Sequence, residues 1–122
     1  MYVSTYRSHE FILIAFRWNG VTFANEGQVE AAGATNAYRP LAVMPPAPGL
    51  HTSYLVMGTC FTPTLIVLSL PDRRLFHMHT LDGIKVMGLA ADPSGTALAV
   101  CDSASEAVHV LPWPLPGMPV LT

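Results

Sequence analysis

The chain has 122 residues, 51% hydrophobic and only 11% charged, with a formal net charge of -2 at pH 7. An average soluble domain carries roughly 25% charged residues, so this composition implies that much of the surface is covered, in a chain long enough to bury a core of its own. The basic residues Arg7, Arg17, Arg39, Arg73, Arg74 and Lys85 are scattered, which leaves no basic stripe for a phosphate backbone and argues against direct nucleic-acid binding.

The longest apolar runs, Phe11 to Phe16 and Leu65 to Leu70, fall far short of the ~20 residues of a spanning helix. Their β-branched content favours strands, and no membrane span is expected. Arg7 and Glu10 interrupt the N-terminus before any long apolar stretch, so no secretory signal is expected. Cys60 and Cys101 show no paired spacing and read as reduced thiols of an intracellular, cytoplasmic protein. The alternative is a single disulfide between neighbouring units, which geometry alone could forbid.

In chain order, one pattern recurs three times: an apolar strand, a small polar turn and a second apolar strand. The first copy runs from Tyr2-Val3-Ser4-Thr5 to Phe11 through Arg17, then through an Asn19-Gly20 turn into Val21 to Phe23. Asn-Gly between apolar runs is a strong hairpin signal. Ala24 to Ala37 has little strand character and reads as an extended surface connection. Glu26 to Ala32 lacks the apolar face that a stable helix needs.

The second copy has strands at Pro40 to Met44, Ser53 to Gly58, Thr64 to Leu70 and Leu75 to Thr80. Pro45-Pro46-Ala47-Pro48-Gly49 and Pro71-Asp72-Arg73-Arg74 are its turns. The third has strands at Val86 to Ala90, Ala97 to Cys101 and Ala107 to Leu111. Its turns are Asp92-Pro93-Ser94-Gly95 and Asp102-Ser103-Ala104-Ser105. Laid over one another, Val3 meets Val56 and Val100, and Leu41-Ala42 meets Leu89-Ala90. The division is therefore a partial unit at 1–23, a connection at 24–37, a complete four-stranded unit at 38–83, and a unit at 84–122 with a proline-rich tail.

The stretch Gly88-Leu89-Ala90-Ala91-Asp92-Pro93-Ser94-Gly95, followed by Ala99-Val100-Cys101-Asp102-Ser103, resembles the repeat of NHL-type and YVTN-type β-propellers. The aligned valines are 53 and 44 residues apart, about the length of one blade. The resemblance implies an all-β fold of four-stranded antiparallel blades, about two and a half of them. Rings usually need four to eight blades, and the first set lacks an inner strand. The last set lacks an outer one, unless Pro119 to Thr122 contributes a short piece. Open apolar edges are a hazard in water, so the expected partners are other protein chains, or copies of this one, that complete the propeller.

His77 and His79 alternate on one strand and would share a face, as some metal sites require. The sequence places no third ligand, and outer-strand histidines ordinarily face solvent, so no metal or other cofactor is expected. Asp92, Asp102 and Ser103 sit at turns, where local backbone hydrogen bonds account for them. Cys101, Asp102 and His109 are close in sequence, but strand alternation sends neighbours to opposite faces, and no catalytic residue is assigned.

Pro112-Trp113-Pro114-Leu115-Pro116-Gly117-Met118 reads as a pre-ordered polyproline II segment. It is either displayed to a partner or laid as a stiff crossing loop with Trp113 packed on a sheet. The expected contact surface comprises Pro112, Trp113, Pro114, Pro116 and Met118, with Trp18 and the Arg73-Arg74 turn. Removing Pro112 to Thr122 is then expected to leave the fold largely intact.

The function expected is that of a non-enzymatic scaffold subunit that mediates protein–protein contacts in a larger complex. One alternative is a fragment of a lactonase-like or lyase-like propeller enzyme, with Asp92, Asp102, His77 or His109 converging on one channel. The other is a sugar-binding propeller of small identical chains that uses Trp18, Trp113 and Tyr54.

Overall fold

The computed structural model describes residues 1–7, 10–29, 40–59 and 63–122. Among them the chain forms antiparallel strands and turns with no helix. The strands are β1 (Tyr2–Arg7), β2 (Glu10–Trp18), β3 (Phe23–Val29), β4 (Leu41–Met44), β5 (Tyr54–Thr59), β6 (Thr64–Ser69), β7 (Arg74–Thr80), β8 (Val86–Ala91), β9 (Ala97–Asp102) and β10 (Ala107–Pro112). They make a three-stranded sheet β1-β2-β3, a four-stranded sheet β4-β5-β6-β7 and a three-stranded sheet β10-β9-β8. The all-β class and the strand grouping of the three copies agree with the sequence.

Two boundaries differ. The β2–β3 loop spans four residues, because Trp18 pairs with Phe23. The Asn19 side-chain oxygen captures the amides of Val21 and Thr22, both at 2.9 Å, so those amides leave the ladder and the strand starts at Phe23. Downstream, β3 continues to Val29 and pairs with β2 as far as Leu13, which corrects the reading of 24–29 as connection. Small and polar residues there are held by pairing to an apolar neighbour, an effect that local propensity does not register. Residues 30–37 of that connection lie outside the described residues.

The inner strands of the middle sheet, β5 and β6, are buried on both faces. Ala42, Met44, Tyr54, Val56, Leu65 and Val67 pack with Val86, Leu98 and Val100 of the third sheet, and with Leu81, Trp113 and Leu115. On the opposite face Leu55, Met57, Ile66 and Leu68 form a second cluster, joined by Tyr2 of the first sheet, Leu41 and Leu70. This is why β6 reads as an unbroken apolar run: its four central residues, Leu65 to Leu68, are all buried. Each such side chain contributes about 1.5–3 kcal/mol on burial.

The second and third sheets approach most closely at Gly58. A Cβ built there would lie 2.5 Å from Val86 Cγ1 and 3.1 Å from Pro40 Cγ, so no larger residue fits without displacement. Gly95 makes a second close approach. Its φ of 72° is a backbone state that glycine adopts without a Cβ clash, and a Cβ there would meet the Pro46 carbonyl oxygen at 2.8 Å. The Asp92–Gly95 turn of the third sheet therefore rests on the Pro45-Pro46 loop of the second.

Gly58→Ala is expected to cost about 1–3 kcal/mol by overpacking. Combining it with Val86→Ala should recover part of that loss, in a double-mutant cycle read by urea denaturation. Strict additivity of the two changes would show that the sheets do not meet at this point.

Candidate interaction surface

The third sheet has one covered and one bare face. Val86, Leu98 and Val100 are buried against the middle sheet, and Asp102 is buried on the same face. The register places Gly88, Cys101 and Val108 together on the opposite face, then Ala90, Ala99 and Val110, then Ala97 and Pro112. Val108 is 63% and Val110 71% exposed, and Cys101 carries a free, exposed thiol. Cys60, the other half of the alternative disulfide, lies outside the described residues. This bare face contains no charged residue, in a sheet whose other face is packed.

β10 is also the edge of that sheet. Trp113 N donates to Thr96 O at 3.0 Å, and antiparallel pairing alternates, so Leu111, His109 and Ala107 exchange hydrogen bonds with β9. The amides and carbonyls of Val108 and Val110 consequently point away from the sheet. Sequence reasoning missed these two valines as surface residues. Their alternation with His109 and Leu111 was the available signal.

Of the predicted contact residues, Trp18 is 55% exposed at the tip of the β2–β3 hairpin and packs against Phe23 in a tilted contact, ring centroids 5.1 Å apart. Arg74 is exposed, 4.0 Å from the Asp72 carboxylate. Arg73 occupies the left-handed region at φ 58° and donates its amide to Ser69 O at 2.7 Å. Pro112, Pro114 and Pro116 are exposed, whereas Trp113 is buried and Met118 packs against the main cluster.

The tail is thus an internal packing element as well as a surface. Trp113 sits 6.0 Å from the ring of Tyr54, which in turn sits 4.8 Å from Phe76. The end of the chain closes on the middle sheet: Thr122 O accepts from the amides of His51 and Thr52, and Thr122 N donates to the Tyr54 hydroxyl at 3.3 Å. Pro119 to Thr122 therefore adds no strand to the third sheet. With Tyr54 and Trp113 buried, two of the three aromatic residues suggested for sugar binding present no face to a ligand.

His77 and His79 do share a face, ring centroids 5.7 Å apart. That face is the one on which Val67 and Leu65 are buried, so the rings are half-covered instead of solvent-facing. His77 Nε2 is buried without a hydrogen-bond partner among the described residues. Burial, and secondarily His79, hold the His77 pKa below the ordinary histidine value. Among the described residues no three or more His, Cys, Asp or Glu side chains gather as a metal set.

Asp102 is the most heavily bonded side chain of the third sheet. Oδ1 accepts from Lys85 N at 3.0 Å and Ala104 N at 2.9 Å. Oδ2 accepts from Ser105 Oγ at 2.6 Å and lies 3.4 Å from His109 Nε2. The Ser105 hydroxyl first, then the Lys85 amide, hold its carboxyl well below the usual carboxylate range. Asp92 serves its own turn by accepting from Ser94 N at 2.8 Å. Of the four groups proposed to converge, Asp102 and His109 meet, while His77 is paired with His79.

No protein-family model matches the chain, and neither a curated protein nor a solved structure matches it significantly. No helix among the described residues is long and apolar enough to cross a membrane.

Trp113→Ala is expected to cost about 3–5 kcal/mol, and truncation before Trp113 should broaden or abolish cooperative thermal unfolding. This reverses the expectation that the tail is dispensable, and wild-type melting of the truncated chain would restore it. Acid should destabilise the fold in two windows. Below about pH 6.5 the unfolded chain takes up a proton that His77 refuses when folded. Below about pH 4 the unfolded Asp102 carboxyl protonates before the folded one, and its contribution is lost as pH falls further. Urea midpoints followed against pH should lose the first fall in His77→Gln and the second in Asp102→Asn, which should also be weaker than wild type at neutral pH.

Proposed function

We propose that this chain is a non-catalytic subunit that docks onto other protein chains through the bare face and open edge of its third sheet. The observation that carries this reading is the contrast between strands of neighbouring sheets: β5 and β6 of the middle sheet are buried on both faces, while β9 and β10 of the third leave Val108, Val110 and Cys101 uncovered. An exposed apolar sheet face beside an unpaired edge is the kind of surface that another protein covers.

The arrangement supports blades of a β-propeller in partial number. The first sheet has the second, third and fourth strands of the repeat, the middle sheet all four, and the third sheet the first, second and third. Stacking of such sheets face to face, with the middle one enclosed, is what neighbouring blades do. On this reading the chain works as part of a larger assembly, with an interface of about 1,600 Å² or more. A free exposed thiol fits a reducing, intracellular setting.

Cys101 supplies the test because it lies in the middle of the bare face. In a Cys60→Ser background, maleimide labelling of Cys101 should be fast in the isolated chain. It should be strongly slowed in the assembly isolated from the source cells under native conditions. Equal labelling rates in both states would refute docking through this face.

A further inference from the structure

The β10 edge has a feature that the β7 edge of the middle sheet lacks. β7, the outer strand of the middle sheet, starts at the charged, exposed Arg74 and has a register irregularity opposite Val67/Leu68. Charge and bulges of that kind discourage further pairing. β10 instead runs in unbroken register with β9 from Ala107 to Pro112 and has no charged residue. Its outward amides at Val108 and Val110 have no partner among the described residues. The tail leaves the strand at Trp113 and folds back toward His51 and Thr52, so it does not supply a fourth strand.

From this edge we infer that β10 pairs antiparallel with β10 of a second copy of the chain, about a two-fold axis through His109, to make one continuous six-stranded sheet. The inference rests on the docking role proposed above and names the partner for its open edge. The two-fold register follows from which groups point outward. Val108 of one copy stands opposite Val110 of the other, and each such pair exchanges two hydrogen bonds, so the two pairs close four. This register also places exposed valine beside exposed valine across the new junction. Moving it by two residues either way sets a valine against Glu106 or against Pro112, whose nitrogen carries no hydrogen. The contact is self-complementary, as an isologous dimer requires.

The test uses the full-length chain. Light scattering coupled to size exclusion should give twice the chain mass. Val110→Pro, which removes one outward amide, and the double change Val108→Lys with Val110→Lys should each halve that mass with unchanged circular dichroism. Register is checked by His109→Cys in a Cys60→Ser, Cys101→Ser background. Facing residues of a non-hydrogen-bonded antiparallel pair have Cα atoms about 4.5 Å apart, within disulfide reach, so mild oxidation should link the two copies covalently. Ala107→Cys in the same background should not link them. A monomeric mass, a dimer that survives Val110→Pro, or equal cross-linking of both cysteine variants would overturn self-pairing. Protection of Cys101 in the native assembly together with a monomeric isolated chain would keep the docking role and remove only the second copy as partner.

Discussion

The contact of Gly58 with Val86 sets the distance between the second and third sheets, and most of the remaining core depends on that distance. With no Cβ at position 58, the Val86 methyl comes within reach of the β5 backbone. β8 then lies close enough for Leu98 and Val100 behind it to meet Val56, Tyr54 and Met44. A layer of side chains packed at native density tolerates little expansion, so widening this gap would loosen the whole cluster. The Asp92–Gly95 turn, seated on the Pro45-Pro46 carbonyls, holds the same spacing at the other end of the strands. Glycine at these two points lets two apolar sheets come together closely enough to exclude water.

The tail completes what the sheets leave open. Trp113 and Leu115 fill the cluster, with Met118 and Leu121 packed against it. Proline fixes much of the intervening backbone, which lowers the entropy cost of laying the segment down. The covering is imperfect in polar terms, since Trp113 Nε1 and His77 Nε2 are both buried without partners among the described residues. An unsatisfied buried polar group costs about 1–3 kcal/mol, and the apolar burial of the indole must offset it. A neutral imidazole is cheaper to bury than a charged one, which accounts for the depressed His77 pKa.

Strand positions were legible because three signals coincided: β-branched apolar runs, proline and glycine turns, and a repeated order. The two-sided burial of β6 was also present in the sequence, as a run without alternation. What failed was register. Aligning Val56 with Val100 and aligning Leu41-Ala42 with Leu89-Ala90 cannot both hold, because Ala42 pairs with Val56 while Ala90 pairs with Ala99. The two alignments differ by one residue, and a one-residue slip exchanges the faces of a strand. Leu98, Ala99 and Val100 are all apolar, so hydrophobicity could not choose between them, and the bare face around Ala99 went unseen. The reason for Gly58 was hidden too, since it lies in Val86, on a different sheet. In the tail, composition correctly indicated stiffness, but Trp113 found its partners in Tyr54 and the distant core. The Asp102 network was half visible: a turn aspartate was expected, while its reach to Lys85 and His109 required the fold.

That network bears on the exposed edge. Asp102 closes the β9–β10 turn through Ala104 and Ser105, ties it to the strand entering the sheet through Lys85, and lies beside His109 on β10. Ser103 N adds a backbone hydrogen bond to Lys85 O at 3.0 Å. His109 is flanked by Val108 and Val110, so the same buried carboxylate that fastens the hairpin also fixes the strand between the two exposed valines. An edge held straight before it meets a partner has less conformational freedom to lose on binding. A frayed β10 would present the same residues and bind them less well. In this sense the buried side of the third sheet, through Asp102, sets the quality of its exposed side.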